Sequence, residues 1–200
     1  TTFFTSDQHF HHAKIIQLCK RPFADVEQMN EALISNWNKV VEPDDHVYVL
    51  GDFSFGKVPQ WISVLDSLTG TKTLVVGNHD KHSQRCYDKA LASRFEGGIK
   101  DYAEEQIEGY KICMSHFPMM TWNKNYNGSI MLHGHSHGRS PINHCRRIDV
   151  GVDLPYANFA PLSMQQIIDE IERRKKLIPY GPMAWLGKQL LSAGRSLRAD

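Results

Sequence analysis

Three compact runs give way to short polar motifs: Phe3-Phe4-Thr5, Val47-Tyr48-Val49-Leu50 and Lys72-Thr73-Leu74-Val75-Val76. Each has the length and the β-branched or aromatic content of a buried strand. Helical patterns lie between them. Asp25 and Gln28 have capping-box spacing, after which Val26, Met29, Leu33, Trp37 and Val40 recur at helical intervals. Val58 to Leu68 reads as another helix. This order of strand, helices, strand, helix, strand predicts parallel strands joined by right-handed crossovers. Ligands of such sheets gather at the carboxyl ends of the strands, where the polar motifs fall.

The pattern changes after a helical segment around Ser83 to Phe95. Glu104 to Ile107, a Glu108-Gly109 turn, and Lys111 to Met114 read as a β-hairpin, with further strands at Ser129 to Leu132 and Arg147 to Val152. This half is expected to form a second sheet, richer in antiparallel pairing, packed on the first. Ser163 and Gln166 form a second capping box, opening a helix to about Lys176. One domain over residues 1–178 is expected, followed by a tail over 179–200. In the tail Met183, Leu186, Leu190, Leu191 and Leu197 alternate with Lys188, Arg195 and Arg198. That pattern suits a short amphipathic helix packed on the domain or on a second copy in a homodimer, although Gly187 and Gly194 weaken it.

The chain has 200 residues, 41% hydrophobic and 22% charged, which suits a soluble globular domain. No apolar stretch approaches the ~20 residues of a membrane span, and Thr1 to Thr5 lacks the features of a signal peptide. A cytoplasmic location is the expectation. Cys19, Cys86, Cys113 and Cys145 form no CxxC pair and read as free thiols. A net charge of +1 provides no global field for duplex nucleic acid or an anionic membrane.

The motifs themselves are Asp7-Gln8-His9, Gly51-Asp52, Gly77-Asn78-His79-Asp80, His116 and Gly134-His135-Ser136-His137. Alone, an Asp-x-His is ordinarily a solvated loop, a Gly-Asp an ordinary turn, and a single histidine a core residue. Gly-Asn-His-Asp and Gly-His-x-His are rarer, and all five in this order leave coincidence negligible. They supply carboxylates from Asp7 and Asp52, imidazoles from His9, His116, His135 and His137, and an amide oxygen from Asn78. Without thiolates this is no structural zinc cage. Carboxylate with imidazole suits two divalent cations sharing a bridging carboxylate, Mn²⁺ first and Fe, Zn²⁺ or Ni²⁺ as alternatives. Such a pair, roughly 4 Å apart, polarises a phosphoryl group and generates hydroxide near neutral pH.

In order and spacing these motifs resemble the signature of the calcineurin-like metallophosphoesterases across residues 7–137. The resemblance implies an α/β fold, a four-layer α/β/β/α sandwich of two mixed sheets flanked by helices, with the metals at the sheet edges. It implies that Asp7, His9 and His137 hold one metal, that Asn78, His116 and His135 hold the other, and that Asp52 bridges them. His79 resembles the catalytic histidine, protonating the leaving oxygen or stabilising phosphoryl charge. Asp80 is expected to hydrogen-bond that imidazole and keep it protonated.

A narrower likeness, to compact bacterial and phage phosphoesterases, rests on Ser6 to Phe10 with His12, on Arg21-Pro22-Phe23, and on Ser115 to Pro118. Trp122 and Val150 to Asp153 add to it. Gln8 and His11 depart from the common pattern, in ways expected to affect substrate access rather than metal binding.

The substrate is less legible. His12 is a candidate to face the site and Arg21 to clamp a phosphate with its planar fork. Phe10, Trp122 and Tyr126 are weighed between stacking on a nucleobase and packing in the core. His144, Arg146 and Arg147 read as a solvated basic edge. The expected activity is hydrolysis of small phosphodiesters such as cyclic nucleotides or nucleotide ends. Phosphomonoesterase action is the alternative, and a non-catalytic scaffold or a nuclease fits less well.

Overall fold

The computed structural model describes residues 1–81 and 88–177. Its elements run β1 (Thr2–Thr5), α1 (Ala13–Leu18), α2 (Val26–Asn38), β2 (His46–Val49), α3 (Val58–Ser67), β3 (Thr71–Val75) and α4 (Asn78–Lys81). After the undescribed segment come α5 (Lys89–Ala92), β4 (Ile99–Lys100), β5 (Ala103–Ile107), β6 (Tyr110–Met114) and β7 (Ile130–His133). The last are β8 (Arg147–Asp149), β9 (Leu162–Ser163) and α6 (Met164–Leu177).

Two mixed sheets form, in the orders β4-β3-β2-β1-β9 and β5-β6-β7-β8. In the first, β1 to β4 pair in parallel and β9 runs antiparallel to β1. Strand alternation sorts its side chains onto two faces. Phe3, Val47, Val49 and Leu74 pack with Met29, Leu33 and Trp37 of α2 and Trp61 of α3. Phe4 and Val75 instead join Ile112, Met114, Ile130, Leu132 and Ile148 of the second sheet. Met164, Ile167 and Ile171 of α6 enter the same layer, so helices flank the paired sheets. Each large side chain buried there contributes roughly 1.5–3 kcal/mol. The two sheets are thereby fixed against each other, and so are the loops at their shared edge.

The expected hairpin is present, with Glu108 and Gly109 both at positive φ in its turn. The second sheet is nevertheless mainly parallel: β5–β6 is antiparallel, while β6–β7 and β7–β8 are parallel. Antiparallel pairing is still richer here than in the first sheet, as expected, and the two parallel pairs are possible because parallel neighbours need only a crossover of a dozen or so residues, not a helix. Residues 115–129 and 134–146 provide two such crossovers, with a single 3-10 turn at Asn125–Asn127 as their regular structure. Parallel pairing also brings the carboxyl ends of β6 and β7, followed by His116 and His135, to one edge.

Of the two predicted capping boxes, that at Asp25 forms in part and that at Ser163 in full. Asp25 Oδ1 accepts from the Gln28 N–H at 2.8 Å, and the Gln166 and Ser163 side chains cap each other's backbone N–H. Phe10 and Trp122 are core residues, Trp122 donating from Nε1 to Ser129 Oγ at 3.0 Å, so neither offers a face for a base. Arg147, read as a solvated edge, lies in β8 with 6% of its surface exposed. Cys19, Cys113 and Cys145 are free. Among the described residues no helix is long and apolar enough to cross a membrane. Cys86, most of the first half of the Ser83 to Phe95 segment, and the amphipathic pattern of the tail lie outside the described residues.

Candidate metal centre

The loops after β1, β2, β3, β6 and β7 meet at one rim, and backbone hydrogen bonds lace them together. Asp7 donates to the Gly51 carbonyl at 3.0 Å, His9 to that of Asp52 at 3.1 Å, and Gly134 to that of His116 at 3.0 Å. Two glycines are there for clearance. A Cβ on Gly77 would meet the Asp52 carboxylate, and one on Gly134 the Ser6 hydroxyl.

Five of the candidate ligands hold left-handed backbone: Asp7 (φ 60°), His9 (54°), Asp52 (54°), His135 (68°) and His137 (46°). Such conformations cost of order 1–3 kcal/mol each and persist where the surroundings over-determine them. Here they turn successive side chains into the same space.

Two clusters result, Asp7 with His9 and His137, and Asp52 with His116 and His135, the ligand atoms of each lying within 4.8 Å of one another. Asp52 Oδ2 lies 3.5 Å from His116 Nε2 and 3.7 Å from His9 Nε2, between the two. Asn78 Oδ1 is 3.0 Å from both His116 Nε2 and His135 Nδ1. His9 Nε2 is buried without a hydrogen-bond partner, an unusual state for a polar atom. Carboxylate and imidazole donors converging around such an orphaned nitrogen suit a binuclear divalent metal centre.

Neighbouring groups fix the rings. His116 Nδ1 lies 2.7 Å from the Leu50 carbonyl and His137 Nδ1 2.7 Å from Asp153 Oδ2, leaving Nε2 of each directed at the clusters. Asp149 accepts from Ser136 Oγ and from the Gly138 and Gly151 N–H groups at 2.8–3.0 Å, pinning the Gly-His-x-His loop. Sequence reasoning gave no role to Asp153 or Asp149, because lone carboxylates in or just after a strand look like ordinary surface charges.

Two expected roles change. Arg21 is no surface clamp: its side chain is buried, and it forms a two-pronged pair with Asp153 at 2.7 and 2.9 Å. Its other donors reach the Gln8 and Asp7 carbonyls at 2.7 Å. It therefore positions His137 through Asp153 and supports the Asp7 loop. Asp80 does not orient His79 through its ring. Its carboxylate accepts from the backbone N–H groups of Asp52 (2.8 Å), Gly77 (2.8 Å) and Phe53 (3.1 Å), clasping the loops after β2 and β3. Placement at the start of α4 directs the side chain back toward those donors.

His79 itself is 45% exposed, with Nε2 3.9 Å from Asp52 Oδ2 and its N–H donated to Asp52 Oδ1 at 3.0 Å. His12 lies beside the donors, its Nδ1 3.2 Å from His9 Nδ1 and its ring stacked 3.8 Å from Phe55. Gln8 is buried and donates to Thr5 Oγ1, and His11 pairs with Asn30, so both departures from the common pattern sit behind the site.

Burial pushes the Asp7 carboxyl up to about 7 and the His9 imidazole down to about 2. Burial also acts against charge on His137, but the hydrogen bond to Asp153 and the nearby Cys19 and Asp7 outweigh it, raising that ring to about 10. Burial raises Asp52 as well, yet bonding to His116 and the surrounding imidazoles brings it down to about 2. The metal-free centre at pH 6 thus holds protons on Asp7 and His137 that a cation must displace.

Loading with Mn²⁺ is expected to release more protons per chain at pH 6 than at pH 8.5, because Asp7 has already lost its proton at the higher pH. Calorimetry in buffers of different ionisation enthalpy measures this, and equal release at both values would contradict it. Arg21→Met should cost about 3–5 kcal/mol of stability by stranding the buried Asp153 charge. It should weaken metal binding about 10–100-fold by releasing His137. Urea unfolding and metal titration read the two effects, and an unchanged unfolding midpoint would refute the first.

Comparison with known proteins agrees with this rim. The profile of the calcineurin-like phosphoesterases matches residues 1–154. An uncharacterized protein of Methanocaldococcus jannaschii is 34% identical over 179 residues, covering 86% of this chain and 92% of its own. The Gene 66 protein of Mycobacterium phage D29 is 29% identical, with 84% and 96% covered. Among solved structures, an Aquifex aeolicus protein of unknown function superposes with a TM-score of 0.61 at 27% identity, covering 84% of this chain and 97% of that one. With the profile spanning most of the chain and the motifs assembled at one edge of paired mixed sheets, the chain belongs to the calcineurin-like phosphoesterase family.

Proposed function

We propose that this chain is a binuclear, Mn²⁺-preferring phosphodiesterase acting on small, nucleotide-like diesters. The observation that carries the reading is the position of Asp52 Oδ2, between two donor clusters and 3.9 Å from the half-exposed His79. In this reading Asp7, His9 and His137 hold one cation and Asn78, His116 and His135 the other, with Asp52 shared. When bound, the two ions supply Lewis acidity toward phosphoryl oxygens and lower the pKa of water.

The chain's own groups do the rest. His79 reaches both the Asp52 carboxylate and solvent, so its ring can hand a proton to a departing alkoxide and pick up another from bulk water. Phe55, with its centroid 4.6 Å from the His79 ring and 5.2 Å from His9, restricts those imidazoles and excludes water from one side. His12 extends this wall.

The preference for a diester follows from charge. A monoester dianion calls for a further cation beside the metals, and Arg21, the arginine expected to supply one, is engaged by Asp153. A monoanionic diester has no such need. Phe117 supports a nucleotide-like substrate: it is 48% exposed, and its ring lies 4.7 Å from that of His135, a free apolar face at the lip of the centre.

With Mn²⁺ present, bis(p-nitrophenyl) phosphate and cyclic nucleotides should be hydrolysed faster than p-nitrophenyl phosphate, and a strong monoester preference would overturn the assignment. His79→Ala should lower kcat by roughly 10²–10⁴-fold while metal content stays near two per chain. Loss of metal together with activity would show that His79 is a ligand instead.

A further inference from the structure

Away from the metal centre, α6 and the ends of β7 and β8 border a cavity of about 460 Å³. Small-molecule sites commonly fall at roughly 300–1,000 Å³. Its wall brings the guanidiniums of Arg147, Arg173 and Arg174 together with the carboxylates of Asp149 and Glu170.

The carboxylates do not balance the arginines locally. Asp149 is turned to Ser136 Oγ and to the N–H groups of Gly138 and Gly151. Glu170 is divided between Arg173, at 2.7 and 2.8 Å, and Arg174, at 2.6 Å. Arg147 donates to the carbonyls of Met119 at 3.4 Å and Pro141 at 3.0 Å, and bonds no carboxylate. Its side chain is buried. Burial, with Arg174 nearby, works against its charge. A buried guanidinium held by carbonyls alone is costly unless an anion shares its environment. The rest of the wall includes Ile142 and Leu154, which give the cavity an apolar side.

We propose that this cavity binds a small organic oxyanion. The anionic head meets the N–H groups of Arg147 and Arg173 that Glu170 and the carbonyls leave over, and a short apolar body lies against Ile142 and Leu154. The fork geometry of guanidinium suits a bidentate oxyanion, and the mixed wall selects an organic anion over an inorganic one. The site lies behind the Gly-His-x-His loop, with Gly138 and Asp149 in its wall, and does not depend on the activity assigned to the metal centre.

Phenylphosphonate is a suitable probe, because its phosphorus–carbon bond is not an ester. On protein stripped of metal over a chelating resin, which leaves no chelator in solution and removes the competing site, calorimetry should show one equivalent bound per chain of the wild-type protein. Arg173→Glu reverses the charge of a half-exposed side chain, and Ile142→Trp fills the apolar side from a partly exposed position. Each should weaken that binding at least tenfold, while Arg173→Lys, which keeps the charge but loses the fork, should weaken it less than Arg173→Glu. No binding by the metal-free wild-type protein, or unchanged binding by either of the first two variants, would overturn the proposal.

Discussion

The guanidinium of Arg21 reaches the carbonyls of Asp7 and Gln8 and both oxygens of Asp153, a residue 132 positions away in sequence. Because Asp153 in turn holds His137, one cation sets the relative position of the first and last donor-bearing loops. Asp80 does the same for the loops after β2 and β3, and Asp149 for the loop after β7. The strained backbone at Asp7, His9, Asp52, His135 and His137 survives because these buried polar groups leave the loops no relaxed alternative. Rigidity at the rim therefore comes from second-layer carboxylates and one arginine, while the hydrophobic layer beneath fixes the sheets that carry them.

The same burial sets the electrostatics. Asp7 is held up to about 7 and His137 up to about 10, so the metal-free rim keeps protons where a cation would sit. His9, down at about 2, is already an unprotonated donor. Metal binding exchanges protons for positive charge in a site whose buried nitrogen otherwise has no partner.

Strands β1 to β3 were legible because each β-branched run was short and bounded, and α2 because Asp25 caps it, whereas α1 has no side-chain cap to mark it. The donor set was legible because its residue types are rare in combination. Parallel pairing in the second half was not, since the crossovers at 115–129 and 134–146 contain almost no regular structure to mark them. Arg21 read as a phosphate clamp beside a proline, and its partner in Asp153 is a matter of tertiary distance that no local pattern encodes. Asp80 was misread for a related reason: adjacency to His79 suggested a side-chain partner, whereas the turn into α4 aims its carboxylate at backbone donors. Arg147 lies in a polar run, but strand register buries it.

Parallel pairing in the second sheet has one more consequence. Asp52 and Asn78 follow strands of the first sheet, His116 and His135 follow strands of the second, and the cluster they form exists only where the sheets meet. Neither half of the nascent chain can assemble it alone. A divalent cation held by this cluster would therefore report that the two halves had docked.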